Sequence, residues 1–458
     1  MSLLDDGLIH LSKDGGNSWE NVTPKISPSH IMWNSVDPDP FVKGGLYVAG
    51  TLYKTGDYQP YLYKTKDYGK SWEKIDLGIE KNHFTRVLRA DPKRKGLLYA
   101  GTESGVYISF DDGKSWKSFQ QNLPLVPITD LTIKNNNLIA ATQGRSVWLI
   151  DDLTPLHQIN NEILSSDFHV FKPIDSYRMG YPSWRTNSSK NGTNHHNGVK
   201  IFFNIDSTKV WNDSLKVSLE FMDQNRKTIK IFSNFSKKNN LKIKDGSNSF
   251  IWNMRYKNAE GFDGLIMWAA SLTGPKAIPG KYFTKLTVNG ESKETEFFIL
   301  KDERSNSTIN DLKDQFNFLI EIRDKVTEIH QSISDMRLIV NQINTFKSKI
   351  ENNKEIIIKM NNLIDKINII QNKLYQTKNR SRQDPLNYPI KLNNKLAHLS
   401  SVASNGNYKP TDQMIEVKNE LIKKINQELK KWDSIKNEEL KNLNNEIKNI
   451  DIDLISIN

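Results

Sequence analysis

The sequence predicts a multidomain fold, β first and α last. A partial Asp-box β-propeller is expected over residues 1–157, an Ig-like β-sandwich over 158–303 and an antiparallel helical bundle over 304–458. Three observations predict it. One turn-and-tryptophan cassette occurs three times in the first third. Alternating apolar residues broken by Gly/Asn turns fill the middle, and apolar residues at three- and four-residue steps run through the tail.

The cassettes are Ser12-Lys13-Asp14-Gly15-Gly16-Asn17-Ser18-Trp19, Thr65-Lys66-Asp67-Tyr68-Gly69-Lys70-Ser71-Trp72 and Ser109-Phe110-Asp111-Asp112-Gly113-Lys114-Ser115-Trp116. They share Ser/Thr-x-Asp-x-Gly-x-x-Trp, with the tryptophans 53 and 44 residues apart. Each fits a tight hairpin. The Asp accepts hydrogen bonds from the turn's own amides, and the Gly supplies a positive φ. The Ser or Thr adds a hydroxyl bond, and the Trp opens the return strand and buries its ring. Short apolar strands precede each copy (Gly7–Leu11, Tyr61–Tyr63 and Gly105–Ile108), with Leu46–Thr51, Leu97–Thr102 and a weaker echo at Leu138–Thr142. Four-stranded units of this length are propeller blades. A self-satisfied Asp turn is a hairpin staple, not a six-oxygen calcium site. The cassette residues (Ser12, Asp14, Gly16 and Trp19; Thr65, Asp67, Gly69 and Trp72; Ser109, Asp111, Gly113 and Trp116) are therefore read as structural. Gly7–Trp19 matches the second half of a blade, and about three blade equivalents fall short of a closed ring, so further blades are expected to precede them.

In the middle, Val199–Phe203, Leu215–Phe221, Thr228–Phe232 and Tyr282–Val288 read as strands, and Asn289-Gly290 reads as the turn of a hairpin continuing over Glu294–Leu300. Pro279-Gly280-Lys281-Tyr282 is similar to the last hairpin of FlgD-type Ig modules. In the tail, Leu312 to Ile343 predicts one long amphipathic helix and Ile357 to Leu374 a second. A short helix at Leu392–Leu399 follows Pro385 and Pro389. Thr411 caps a last helix whose inward residues run from Met414 to Trp432. A bundle within the chain is the preferred use of these stripes over a coiled coil with a partner.

With no cysteine, disulfides, thiolate metal sites and Cys nucleophiles are excluded. No apolar run has the ~20 residues of a spanning helix, and the first residues lack a signal-peptide pattern. The formal charge of +11 comes from lysines scattered through an Asn- and Ile-rich background, so nucleic acid is not an expected partner. His195-His196 lies in an Asn/Gly loop with no acidic neighbour, and neither a metal nor a cofactor is expected.

The carboxylates open to catalysis are Asp130 and Asp152, the latter beside Asp151 where a turn cap also suits the sequence. Hydrolysis of a glycoside needs two carboxyls facing across a sugar. The blades carry Arg86, Arg89, Arg94 and Arg145, and Arg145 is the binding candidate. No nucleophile elbow supports a Ser/His/Asp triad.

From Asp5 onward the chain resembles large bacterial proteins described as sortilin-like or BNR-repeat glycosyl hydrolases. The resemblance is carried by the Asp boxes, by Leu97–Tyr107 and by the exit Ala141-Thr142-Gln143-Gly144-Arg145 with Asp151-Asp152-Leu153-Thr154-Pro155. It continues through Phe171-Lys172-Pro173, Gly246–Arg255, Pro279–Phe283 and Asp384–Pro389. In that family the exit reads Thr-His-Gly-Arg, and here Gln143 takes the His position. The resemblance implies an extracellular or periplasmic protein binding a protein or glycan ligand. Its alternative is a glycoside hydrolase whose site lies largely on blades outside this sequence.

Overall fold

The structure, a computed structural model, describes residues 2–3, 7–180, 196–206, 208, 215–347, 350 and 353–448. Its contacts divide the chain into two compact units, Met1–Ser165 and Ser166–Asn458. His195 of the predicted loop pair lies outside the described residues.

The first unit is a series of antiparallel meanders. The first sheet is β1 (Ser2–Leu3), β2 (Ile9–Leu11) and β3 (Glu20–Asn21). The second is β4 (Met32–Pro38), β5 (Leu46–Leu52), β6 (Asp57–Thr65) and β7 (Glu73–Lys74). The third is β8 (Thr85–Ala90), β9 (Leu98–Thr102), β10 (Gly105–Ser109) and β11 (Lys117–Ser118). The fourth is β12 (Ile128–Lys134), β13 (Asn137–Thr142) and β14 (Val147–Asp151).

Each strand pairs with its neighbour in sequence, which is blade topology. The middle strands are apolar on both faces because both faces are covered. In β5, Val48 enters the core that joins the first two sheets, and Tyr47 and Ala49 enter the core that joins the second and third. The period-two pleat thus sends successive residues to opposite blade interfaces. A third core holds Tyr99 and Ile108 against Leu131 and Leu138. The short helices α1 (Thr154–Gln158) and α2 (Asn161–Ser165) end this unit. His157 Nε2 lies 2.9 Å from the fully buried carboxylate of Asp91.

The second unit opens with two sheets. One is β15 (Phe168–Val170), β17 (Val199–Ile205) and β20 (Gly246–Trp252). The other runs in the order β16 (Ser176–Tyr177), β22 (Glu291–Leu300), β21 (Gly280–Val288), β18 (Val217–Met222) and β19 (Thr228–Ser233). They share one core, in which Phe221 stacks on Trp252 at 4.6 Å. The hairpin turn stands where the sequence put it. Val288 pairs with Glu291 across Asn289 and Gly290, both at positive φ.

Five helices follow among the described residues: α3 (Ile309–Lys347), α4 (Lys354–Leu374), α5 (Leu392–Ala403), α6 (Asp412–Ser434) and α7 (Leu440–Lys448). The predicted apolar stripes meet in one core of Ile329, Ile333 and Met336 with Met360, Ile367, Leu396 and Trp432. Thr411 Oγ1 accepts the Met414 amide as the expected cap. The last helix does not stop near Trp432. A π turn at Ile435–Glu439 carries it into α7, where Leu443 is buried.

Residues 166–303 and 304–458, which the sequence assigned to two domains, lie in one compact unit. The segment 256–276 accounts for this, since it leaves the sandwich and enters the helical core. Ala259 is buried there, with Phe262, Leu265 and Met267 packed beside it. Asn394 clamps the backbone of Trp268 from both sides, accepting its amide at 2.7 Å and donating to its carbonyl at 2.8 Å.

His330 is fully buried beside the same segment, with Nδ1 2.6 Å from the Glu260 carbonyl and Nε2 3.2 Å from Asn393 Nδ2. Nδ1 must donate, so the neutral ring accepts at Nε2. Burial pushes its pKa below the ordinary 6.5. The unfolded chain therefore takes up a proton that the folded chain refuses, and stability is lost as pH falls below 6.5. The helical unit is expected to melt at a lower temperature near pH 5 than near pH 7. His330→Gln should flatten that pH dependence in calorimetry.

A candidate binding face on the blades

Each Asp box closes on itself with one repeated set of bonds. Asp111 Oδ1 accepts the Ser115 amide at 2.9 Å and the Ser109 hydroxyl at 2.8 Å, Asp111 Oδ2 accepts the Ser115 hydroxyl at 2.6 Å, and Ser109 Oγ accepts the Gly113 amide at 2.9 Å. Asp67, Thr65, Ser71 and Gly69 reproduce it, as do Asp14, Ser12, Ser18 and Gly16. Bonds from the Ser18 and Ser71 hydroxyls, followed by the same residues' amides, hold Asp14 and Asp67 down to about 2. These carboxylates are occupied as staples. Among the described residues no group of three His, Asp or Glu is placed to hold a metal ion.

The tryptophans do something the sequence did not announce. Trp72 Nε1 donates to Val22 O at 2.7 Å and Trp116 Nε1 to Ile75 O at 2.5 Å, each reaching the segment that leaves the preceding blade. The box glycine touches that segment too. A Cβ on Gly69 would stand 2.6 Å from Val22, and one on Gly113 would stand 2.8 Å from Ile75. A box therefore docks blade to blade as well as closing a hairpin. Trp19 departs from the expected burial. It is 49% exposed, and its indole N–H turns back to Gly16 O at 3.1 Å, because no blade precedes it among the described residues.

The innermost strands β4, β8 and β12 bring together a cluster of opposite charges. Arg89 Nη2 holds Asp130 Oδ1 at 2.8 Å, Nε donates to Leu131 O at 2.8 Å, and Nη1 donates to Ser35 Oγ at 2.7 Å. Asp37 Oδ1 lies 3.9 Å from the same guanidinium, and Asp37 Oδ2 accepts the Ala90 amide at 2.8 Å. Burial raises the Asp37 carboxyl above the ordinary range, against the Ala90 amide and the Arg89 charge, which lower it. Asp37 was not among the carboxylates that the sequence singled out.

At the other end of these strands sits an aromatic platform. Tyr53 stacks on Phe84 at 5.1 Å, Arg86 lies 5.2 Å over Phe84, and Arg86 Nη2 pairs with Glu103 at 2.6 Å. Tyr58 leans on Phe84 with half its surface exposed.

Asp152 is nearly buried at a φ of 127°, accepting from Asn136 Nδ2 and the Thr154 amide at 2.9 Å each, which places it at the start of α1. Arg145 is exposed on the β13–β14 turn, where its carbonyl accepts Trp148 Nε1 at 2.9 Å. Asp130, Asp152 and Arg145 thus occupy three separate settings. Only Asp130 joins the inner-strand cluster.

Residues 7–167 match the Sortilin-Vps10 family, described as sortilin, neurotensin receptor 3. No match was found among curated proteins. Solved structures similar to this chain are propeller proteins. YCF48 bound to D1 peptide shares 23% identity over 31% of this chain and 44% of its own, at a TM-score of 0.25. The GH74 xyloglucanase from Xanthomonas campestris shares 19% over 29% and 22%, at 0.20. The Niastella koreensis GH74 enzyme shares 13% over 58% and 38%, at 0.22. The chain spans less than half of each of these proteins.

Proposed function

We propose that the Sortilin-Vps10 segment is a binding module for a protein or glycan ligand, displayed outside the cytoplasm. The sandwich of the second unit is read as Ig-like and its helices as an antiparallel bundle. One observation carries the preference for binding over hydrolysis. Arg89 ties Asp130 directly and reaches Asp37, so the inner-strand carboxylates face a guanidinium instead of each other across a sugar. The exposed ring of Tyr58 against Phe84, on which Arg86 also lies, with Glu103 paired to that arginine, suits a ligand that stacks and accepts or donates polar bonds. Extracellular display rests on the match to a family described by a receptor.

On this reading Trp19 and Gly16 form a socket for another blade, in the way that Trp72 and Gly69 seat against Val22. The exposed Val147 and Leu149 of β14 offer a second apolar face of the same kind.

A second reading, a BNR-type glycoside hydrolase completed by further blades, draws on the raised carboxyl of Asp37, which suits a general acid. Aryl-glycoside assays between about pH 4 and pH 8 separate the two. The binding module is expected to show no turnover. Turnover that disappears in Asp37→Asn or Asp130→Ala, but persists in Asp152→Ala, would establish the hydrolase instead.

A further inference from the structure

The second unit gathers three cations, Arg178 buried and Arg255 and Lys276 partly buried, for which no carboxylate partner is found among the described residues. Arg178 is only 6% exposed. Its Nε donates to Ala277 O at 2.9 Å, Nη1 to Asn407 Oδ1 and Nη2 to Gln315 Oε1 at 3.4 Å. Arg255 donates to Gly274 O at 2.9 Å, and Lys276 to Met179 O and, at 3.4 Å, to Asn197 Oδ1. Backbone pairing of Arg255 with Lys276 sets the two side by side.

Every one of these acceptors is neutral, and among the described residues no carboxylate pairs with any of the three cations. The segment 181–195 contains no Asp or Glu. Asp302 shares the cavity wall, but Arg304 already takes both of its oxygens at 2.9 Å.

The three cations line one cavity of about 360 Å³. A second cavity of about 210 Å³ shares Arg255, Leu319 and Ser404 with it and is also lined by Ser271, Thr273, Ser400 and Ser401. Burying charge without neutralising it is costly, and an arginine fork left with open N–H groups matches a carboxylate or phosphate. We propose that this cavity binds the oxyanion group of a small molecule, whose hydroxylated body extends into the serine-lined chamber. Phosphorylated sugars and sugar acids carry that chemistry. Burial supports the assignment, lowering Lys276 to about 8 and Arg178 to about 10, with repulsion from Arg255 adding to both.

The test is calorimetric titration of the full chain at constant ionic strength with glucose 6-phosphate, D-glucuronate and inorganic phosphate, with chloride as the blank. Saturable binding is expected, tighter for glucose 6-phosphate than for phosphate, and weaker by on the order of tenfold or more in Arg255→Gln and Lys276→Met. Without ligand, Lys276→Met is expected to keep or raise Tm, because it removes an uncompensated charge. No saturable binding of any of the anions overturns the proposal, and so does unaltered affinity in both variants. Equal affinity for phosphate and glucose 6-phosphate overturns the role of the serine chamber. Aryl-glycosidase activity of the blades has no bearing on any of these outcomes.

Discussion

Trp116→Ala is expected to unfold the blades under conditions where Trp19→Ala leaves them intact. The two residues hold the same place in the same motif. Trp116 is 3% exposed, lies in the core between the second and third sheets, and donates its indole N–H to Ile75 O. Truncating it removes a buried aromatic and leaves a cavity between two blades, at a cost of roughly 3–5 kcal/mol. The Ile75 carbonyl also loses its partner, worth about another 1 kcal/mol. Trp19 bonds only within its own turn and is half exposed, so its removal should change stability by no more than about 0.5 kcal/mol. Denaturant melts of the two variants, followed by hydrogen exchange in residues 7–165, measure the contrast. Equal destabilisation would mean that Trp19 is packed against something in solution, as when the proposed blade socket is filled.

Gly78→Ala should be nearly as damaging. Gly78 sits at φ +99°, where an L side chain is strained by roughly 1–2 kcal/mol. A Cβ there would lie 2.4 Å from the carbonyl oxygen of Trp116 and 3.1 Å from its nitrogen. That atom is backbone and held in place, because the Trp116 amide donates to Leu77 O at 2.9 Å. The clash cannot be relieved by a rotamer. The third blade must shift, and the loss is expected to reach about 3 kcal/mol or more. Gly15→Ala provides the comparison. Its φ of +74° brings similar strain, but nothing stands within 4 Å of the new Cβ. It should cost no more than the strain itself, on the order of 1–2 kcal/mol. A Gly78 variant no worse than the Gly15 variant would remove the close approach as the cause.

Much of the architecture could be read from the sequence because the signals are local. A hairpin staple is a short-range object. Asp111, Ser109, Ser115 and Gly113 bond among themselves, so Ser-x-Asp-x-Gly specifies its own turn. The helical stripes from Leu312 to Ile343 and from Ile357 to Leu374 are likewise periodic, and they became α3 and α4 with the expected faces buried. The candidate site was less legible. Asp130 was singled out as a carboxylate, but its partner Arg89 stands 41 residues away on another blade. Asp37, also on another blade, was not singled out.

The sequence by itself determined the repeat, the order of strands and helices, and the absence of any cysteine chemistry. Only the tertiary structure decided which tryptophan of the three is exposed, since that depends on whether another blade lies beneath the box. It also decided that segment 256–276 belongs to the helical core. The reason is that an Ala or a Phe without periodic neighbours is buried only when a distant element arrives to cover it. The cations of the second unit make the same point. Arg178, Arg255 and Lys276 are far apart in a chain rich in lysine, and no pattern marks them. Folding lines one cavity with them, where among the described residues no carboxylate pairs with any of the three, and that placement gives them their chemistry.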